Sequence, residues 1–233
     1  MKKNLPKELK YRSRWFCYLD LLGFARQVET KNINHILPLY EKALDSMDIS
    51  RIDKGKYGIS FSWFSDTFII FSQSDSAQDF ALVEQAGRLF FQKLIMNQIP
   101  VRGAISCGDL YTQLERNVFI GLALIEAYRY GEGQNWLGFV LTPSAVKQLE
   151  RIGLPVHQRL VYRLISDDGI VNSDLDGPVY AFAFNNGHIN GKSAFIRPLE
   201  AMKNKADKKN VTKYDRTLEF LHANQLNLIP KNA

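Results

Sequence analysis

Two aspartates interrupt apolar stretches of the sequence and are the first candidates for chemistry. Asp20 ends the run "FCYL" at residues 16–19, and Asp66 follows "ISFSWFS". Burying a carboxylate without a partner is costly, so each acid needs either a cation or contact with water. Two converging carboxylates suit hard divalent cations, which take oxygen ligands and keep several waters. In the alternative interpretation, Asp66 only forms a turn and Asp20 is an isolated acid at a strand end.

The hydrophobic pattern predicts an order of elements that brings the two aspartates together. The predicted elements are a strand over 15–22, a helix over 32–48, a hairpin turning at 65–66, a helix over 76–97 and a strand over 101–111. This β-α-β-β-α-β order is the ferredoxin-like or palm arrangement, an α+β fold. In that arrangement the first strand ends beside the hairpin, so Asp20 and Asp66 are expected to meet at one edge of the sheet.

The second half of the chain continues with shorter elements. They are predicted as a helix over 119–131, a strand over 136–142, a helix over 143–152, strands over 162–166 and 178–184, and a last helix over 211–225. The basic stretch 201–210 is predicted to be a loop or linker. The chain therefore divides into a basic segment (1–14), one α+β domain (15–200) and a C-terminal extension (201–233).

Composition excludes several classes of protein. The 233 residues are 45% hydrophobic and contain no apolar run of 18 residues, so a core is expected and a membrane helix is not. The basic N-terminal segment lacks the apolar centre of a secretion signal. Cys17 and Cys107 lie in apolar strand-like runs, which predicts two reduced core thiols rather than a disulfide or a metal pair. A cytoplasmic protein is expected.

The net charge of +6 is concentrated at the two ends of the chain. Residues 1–14 carry +5 and residues 201–216 carry +4, which leaves −3 for the remainder. Solvated basic ends are commoner than nucleic-acid sites, so no nucleic-acid partner is expected.

Four motifs, in order, resemble those of the class III nucleotide cyclases. "YLDLLGF" resembles their opening strand, which ends in Asp and continues with an apolar pair, Gly and Phe. "WFSDTFIIF" resembles the second motif, with Ser65 in place of a Gly. "VRGAISCGDLY" and "FIGLALIEAYRYGE" resemble the strand and helix that follow. The motifs span residues 15–132, and the resemblance implies the same palm-like α+β core.

The resemblance also implies a two-metal site for a nucleoside triphosphate. Asp20 and Asp66 match the family's metal-binding pair, and the backbone of Leu21 is a further expected ligand, for two Mg²⁺ or Mn²⁺ ions. Arg129 matches the arginine that stabilises the transferred phosphate, a task that suits a planar guanidinium. The backbone of residues 21–24, including Gly23 and Phe24, is expected to face the triphosphate.

Three departures from the family pattern concern the nucleotide base and the reacting centre. Ser62 stands where the family carries the Lys or Glu that reads a purine, and Val118 stands at the second base-reading position. Neither side chain can supply a charged purine readout. Ser62 and Tyr57 are therefore candidate uracil readers. The family's Asn aligns with Ile125, so either a nearby group such as Asn135 replaces it, or the substrate pose differs, or catalysis is absent.

With these departures the chain is similar to the compact bacterial Pycsar cyclases, which make cyclic pyrimidine nucleotides in anti-phage defence. The implied reaction converts a pyrimidine nucleoside triphosphate, UTP before CTP, to its 3′,5′-cyclic monophosphate and pyrophosphate. The implied assembly is a homodimer in which one protomer supplies Asp20 and Asp66 and the other supplies Arg129. A purine cyclase with an atypical base pocket and a non-catalytic nucleotide-binding or regulatory module remain as alternatives.

Overall fold

A computed structural model of the chain describes most of the core. The described residues are 11–24, 28–29, 34, 37–38, 41, 59–158, 161–165, 177–184, 188–189 and 192–225. Among them, no helix is both long enough and apolar enough to cross a membrane. Helical backbone at 34, 37–38 and 41 agrees with the helix predicted over 32–48. The remainder of that helix, and Tyr57, lie outside the described residues.

The strands form one principal mixed sheet. They are β1 (Arg12–Leu21), β2 (Ile59–Phe64), β3 (Thr67–Ser72), β4 (Val101–Gln113), β5 (Val118–Gly121), β6 (Phe139–Leu141), β7 (Tyr162–Leu164), β8 (Tyr180–Phe182), β9 (His188–Ile189) and β10 (Lys192–Ser193). The sheet has the order β2-β3-β1-β4-β6-β8-β7, and β5 pairs with the end of β4. Strand β1 lies between β3 and β4 and pairs antiparallel with each of them. The order β2-β3-β1-β4 confirms the predicted ferredoxin-like core.

Helices cover both faces of this sheet. They are α1 (Ala77–Met96), α2 (Leu122–Glu132), α3 (Pro143–Arg151), α4 (Ile196–Lys203) and α5 (Lys208–Gln225). Successive side chains of β1 alternate between the faces. Trp15, Cys17 and Leu19 belong to the main core with α1, whereas Phe16 and Tyr18 belong to a second cluster with α2. By the same alternation, Asp20 lies on the α2 face.

Helix α1 begins where the sequence predicts it. The Ser76 hydroxyl accepts a hydrogen bond from the Asp79 amide at 3.1 Å and so caps the first turn. Its buried side chains, among them Phe80, Val83 and Phe90, pack on the face of the sheet that carries Cys17. Both Cys17 and Cys107 are buried free thiols, as predicted. Burial raises the pKa of the Cys107 thiol to about 12, so this sulfur is inert as a nucleophile near neutral pH.

Two boundaries around β5 and β6 were predicted wrongly, and close packing explains both. Residues 119–121 are not helical, because they pair with an extension of β4 before α2 begins. A side chain at Gly121 would come within 2.1 Å of the Asp109 carbonyl oxygen, which fixes this tight approach. The strand predicted over 136–142 is shortened to β6. The Trp136 ring folds back over Gly138, where a Cβ would lie 2.2 Å from the ring.

The prediction of a loop over 201–210 was also wrong. Helix α4 runs to Lys203, and α5 starts at Lys208 after a short connection. Because lysines dominate the composition of 201–210, the apolar face of the two helices was not recognised from the sequence. Buried side chains of both helices belong to the main core: Leu199, Met202, Tyr214, Leu218 and Leu221.

Candidate active site

The structure brings Asp20 and Asp66 to one end of the sheet. Asp20 is the penultimate residue of β1 and pairs with Thr67 of β3, the residue after Asp66. The Leu21 amide donates a hydrogen bond to the Asp66 carbonyl at 2.9 Å, which ties the hairpin turn to the end of β1. The topology inferred from sequence therefore places the two aspartates at the same end of the sheet, as expected.

The buried partner of Asp20 is Arg102 on β4. The two residues face each other across the β1–β4 pair, and the Arg102 Nε donates to Asp20 Oδ2 at 2.8 Å. Arg102 is 9% exposed and Asp20 is 7% exposed. Arg102 is therefore buried within the sheet and does not face solvent.

Arg102 also binds the C-terminal end of α2. Its guanidinium donates to the Glu132 carboxylate at 2.5 Å and to the Glu132 and Gln134 carbonyls at 2.7 and 3.2 Å. The Tyr18 hydroxyl donates to the other Glu132 carboxylate oxygen at 3.0 Å. Arg102 thus neutralises Asp20 and at the same time anchors the helix that carries Arg129.

Gly131 lets α2 approach the sheet closely enough for these bonds. A Cβ at Gly131 would stand 2.5 Å from the Tyr18 ring, well inside van der Waals contact. The ring of Tyr18 also packs edge-on against Tyr128, with centroids 5.7 Å apart. The small residue therefore determines how far the end of α2 lies from the Asp20 row.

The turn after β1 has the backbone geometry that the motif predicts. Gly23 has φ +72°, a conformation that glycine adopts without strain, and an added Cβ there would meet nothing within 4 Å. Phe24 starts the following helical segment and packs partly buried against the main core. In the hairpin turn, Ser65 has φ +56°, so the position where the family motif has glycine keeps a left-handed backbone with a serine.

Ser62 lies on the same face of the sheet as Asp20. It pairs with Ile69, which in turn pairs with Tyr18, two residues before Asp20 on β1. Directly paired residues share a face, so Ser62 is one row away from the Asp20 row. Its side chain is uncharged and partly exposed.

Val118 lies far from the aspartates of its own chain. It pairs with Gln113, at the opposite end of β4 from Arg102. A rise of about 3.3 Å per residue places those two positions of β4 roughly 35 Å apart. Ser62 lies in the row of Tyr18 and Ala104, so nine positions of β4 separate its row from that of Val118.

Arg129 stands on an exposed face of α2. Leu122, Ile125 and Arg129 follow one another at helical spacing, and all three are exposed. Ile125 is 43% exposed and Leu122 is 63% exposed, values unusual for large apolar side chains at consecutive turns. No hydrogen bond or ion pair joins the Arg129 guanidinium to another residue within the described ranges. Asn135, the suggested replacement for the family's Asn, is also exposed.

This architecture is shared with solved cyclase domains. No protein-family model matches the chain, and no curated protein matches its sequence. The adenylyl cyclase CyaB from P. aeruginosa is similar in structure, with 14% identity and a TM-score of 0.54 over 74% of this chain and 94% of that chain. The catalytic core of a rhodopsin-guanylyl cyclase with converted specificity, in complex with ATPαS, has 10% identity and a TM-score of 0.56 over 74% and 96%. The chain has the catalytic-domain fold of the class III nucleotide cyclases.

A third structure with this cyclase fold is described as a non-canonical dimer. It is a guanylyl cyclase domain of the RhoGC fusion protein from the aquatic fungus Blastocladiella emersonii, with 14% identity and a TM-score of 0.51. The match covers 74% of this chain and 96% of that domain. The part of the chain with the cyclase fold therefore corresponds to nearly the whole of each compared domain.

The donors at this end of the cyclase fold fit hard divalent cations. Burial raises the pKa of Asp20 to about 6, although the Arg102 guanidinium acts in the opposite direction. The Glu132 and Asp66 carboxylates contribute to this raised value in the same direction as burial, so a bound cation would favour the ionised form of Asp20. Among the described residues, no three His, Cys, Asp or Glu side chains form a group able to hold a metal. Cations bound by Asp20, Asp66 and the Leu21 backbone would complete their shells with water and phosphate.

The raised pKa of Asp20 predicts a pH-dependent difference between the wild type and Asp20→Asn. Because the folded-state pKa of about 6 lies above the ordinary 3.8, Asp20 favours the fold while protonated, and this contribution is lost as the pH rises through about 6. The asparagine amide resembles the protonated acid. We therefore compare the unfolding free energies of Asp20→Asn and the wild type without added metal. The difference, variant minus wild type, should be roughly 1 kcal/mol larger at pH 7.5 than at pH 5. Urea unfolding at both pH values measures this, and a pH-independent difference would contradict it.

Arg102 and Glu132 are the site residues whose roles sequence reasoning missed. Arg102 lies within a recognised motif, but its bond to Asp20 depends on the pairing of β1 with β4. Glu132 ends the helix motif "LIEAYRYGE", and its role depends on the direction in which α2 leaves the sheet. One feature of the sequence could have identified Arg102. A buried Asp20 needs a cation nearby, and Arg102 is the only basic residue of the motif "VRGAISCGDLY".

Proposed function

We propose that the chain is a nucleotide cyclase that converts a pyrimidine nucleoside triphosphate, UTP before CTP, to its 3′,5′-cyclic monophosphate. The observation that carries the proposal is the placement of Asp20 and Asp66 at the same end of the sheet, where the Leu21 amide donates to the Asp66 carbonyl at 2.9 Å. A nucleotide-binding module without turnover would not need two adjacent carboxylates as well as an exposed arginine on α2.

In the proposed reaction the ribose 3′-hydroxyl loses its proton and its oxygen bonds to the α-phosphorus. The bond from that phosphorus to the bridging oxygen breaks, and pyrophosphate leaves. Divalent cations, when bound, supply Lewis-acid activation of the hydroxyl and charge neutralisation of the triphosphate. Asp20 and Asp66 hold them, the turn at Gly23 faces the phosphates, and Arg129 donates to the transferred phosphate.

A homodimer is part of the proposal. The exposed apolar side chains around Arg129 form a surface that solvent alone does not explain: Ile120, Leu122, Ile125 and Tyr128 are 62%, 63%, 43% and 51% exposed. A second copy covering this surface would bury it and carry Arg129 toward the aspartates of the partner.

Pyrimidine specificity rests on Ser62 and Val118. Neither residue carries the charge that the family uses to read a purine, and Ser62 lies on the Asp20 face of the sheet, where its hydroxyl can donate to or accept from a base edge. Synthesis of a cyclic pyrimidine messenger in anti-phage defence follows from the resemblance to the Pycsar cyclases. The exposed Ile125, in the place of the family's Asn, favours the second candidate, a nucleotide-binding or regulatory module without activity.

The test incubates the protein with Mn²⁺ and ATP, GTP, CTP or UTP, with and without extract of phage-infected bacteria, and identifies the products by mass. Asp66→Ala is the inactivating variant, and Asp109→Ala, an exposed carboxylate on β4, is the matched control. Cyclic UMP or CMP that is lost only in Asp66→Ala is the expected result. Cyclic AMP or GMP would keep the cyclase and overturn the base assignment. Binding without any product would favour the inactive module.

A further inference from the structure

The C-terminal helix α5 docks directly beside the candidate site. The buried Thr217 hydroxyl accepts a hydrogen bond from the Leu137 amide at 2.9 Å and donates to the Lys213 carbonyl at 2.8 Å. Phe220 packs edge-on against Trp136, with ring centroids 4.8 Å apart. The residues that α5 contacts, Trp136 and Leu137, therefore lie just after Gln134, whose carbonyl accepts a hydrogen bond from Arg102.

Lys213 is the basic residue that α5 presents to this site. It precedes Thr217 by one helical turn, so both lie on the face that contacts residues 134–137. The lysine is only partly exposed. Burial and Arg102 lower its pKa, whereas the carboxylates of Asp20 and Glu132 raise it, so its ammonium lies within electrostatic range of all three groups.

Arg102 already has its donors engaged within the protein. Its guanidinium donates to the carboxylates of Asp20 and Glu132 and to two carbonyls, and releasing it would leave the buried Asp20 and the partly exposed Glu132 without this counter-ion. Lys213 differs, because within the described ranges no residue forms an ion pair or hydrogen bond with its ammonium group. Its three donors and flexible stem suit phosphate oxygens.

We propose that Lys213 binds the terminal phosphates of the nucleotide, which makes α5 a functional part of the active site rather than a solubilising extension. This inference rests on the proposed function for the identity of the ligand. It adds to that function a cation from the same protomer as Asp20 and Asp66. Together with the divalent ions, Lys213 offsets the negative charge that the triphosphate brings to three carboxylates already in place.

The test measures binding of inorganic tripolyphosphate in Mg²⁺ by calorimetry. This probe has no base or ribose, so the result does not depend on the pyrimidine assignment. Lys213→Met should weaken binding about tenfold or more, since hydrogen bonds to charged groups contribute roughly 1.5–3 kcal/mol. Lys213→Arg should restore affinity to within about threefold. Lys208→Met, which removes the same charge from an exposed position of the same helix, should leave affinity unchanged.

Equal affinities of the wild type and Lys213→Met, with unchanged thermal unfolding, would overturn the inference. So would a wild type that binds no tripolyphosphate. If the wild type makes a cyclic nucleotide but Lys213→Met binds normally, the inference fails alone. If the phosphate binding depends on Lys213 but no nucleotide is cyclised, the proposed function fails and the phosphate site stands.

Discussion

Arg102→Met should lower the free energy of unfolding by about 3–5 kcal/mol, because removing one partner of a buried ion pair leaves uncompensated charge. Asp20 and Glu132 would both lose their counter-ion, and two carbonyls at the end of α2 would lose a donor. For a chain of this size the melting temperature should fall by roughly 10 °C. Urea and thermal unfolding at pH 7.5 measure both quantities.

Arg151→Met is the matched control for this prediction. Arg151 bonds Asp75 at 2.8 Å, but its side chain is 66% exposed. Exposed ion pairs contribute about 0–1 kcal/mol, so this variant should remain close to the wild type. A second change, Asp20→Asn, should restore part of the stability lost in Arg102→Met by removing one uncompensated charge. Equal losses in Arg102→Met and Arg151→Met would show that Arg102 is not the counter-ion of a buried acid.

The second large effect concerns two inactive variants that regain activity when mixed. Asp66→Ala and Arg129→Ala should each lose at least about 100-fold in turnover, since each removes charge stabilisation of the reacting phosphate. After subunit exchange, half of the dimers combine one chain of each kind, and one of their two sites is intact. The mixture should therefore recover about a quarter of wild-type activity. The exposed position of Arg129 on α2 is the structural reason.

A mixture of Asp66→Ala with the double variant Asp66→Ala/Arg129→Ala is the control, because none of its dimers contains an intact site. Native mass spectrometry verifies that the chains exchange. Exchange without recovery would mean that Arg129 acts on the site of its own chain, and the shared-site part of the proposal would be wrong. Recovery in the mixture alone would support both the dimer and the division of residues between protomers.

The parts of the fold that the sequence predicts well are those determined by local chemistry. Alternating apolar residues and a tight turn predict β2 and β3, and the amphipathic pattern over 76–97 predicts α1. The meeting of Asp20 and Asp66 then follows from topology, because few arrangements of these elements are possible.

The parts that sequence reasoning missed depend on contacts between distant segments. Arg102 reaches Asp20 only through the pairing of β1 with β4, across 82 positions of sequence. Residues 119–121 form a strand because β4 extends to meet them, a pairing that overrides local helix preference. Helix α4 and the start of α5 were interpreted as a linker because lysines dominate their composition. Two apolar side chains of α4, Leu199 and Met202, face the core.

The hydrogen bond between the Leu21 amide and the Asp66 carbonyl has a consequence for motion in the site. Asp66 lies in the turn of a hairpin whose outer strand, β2, has no further neighbour in the described sheet. If the hairpin turn separates from the end of β1, this bond breaks, and the two aspartates move apart at the same time. The rate of hydrogen exchange at the Leu21 amide is therefore a measure of how often the site opens. Its rate reports, without any nucleotide present, the fraction of time for which the carboxylate pair is assembled.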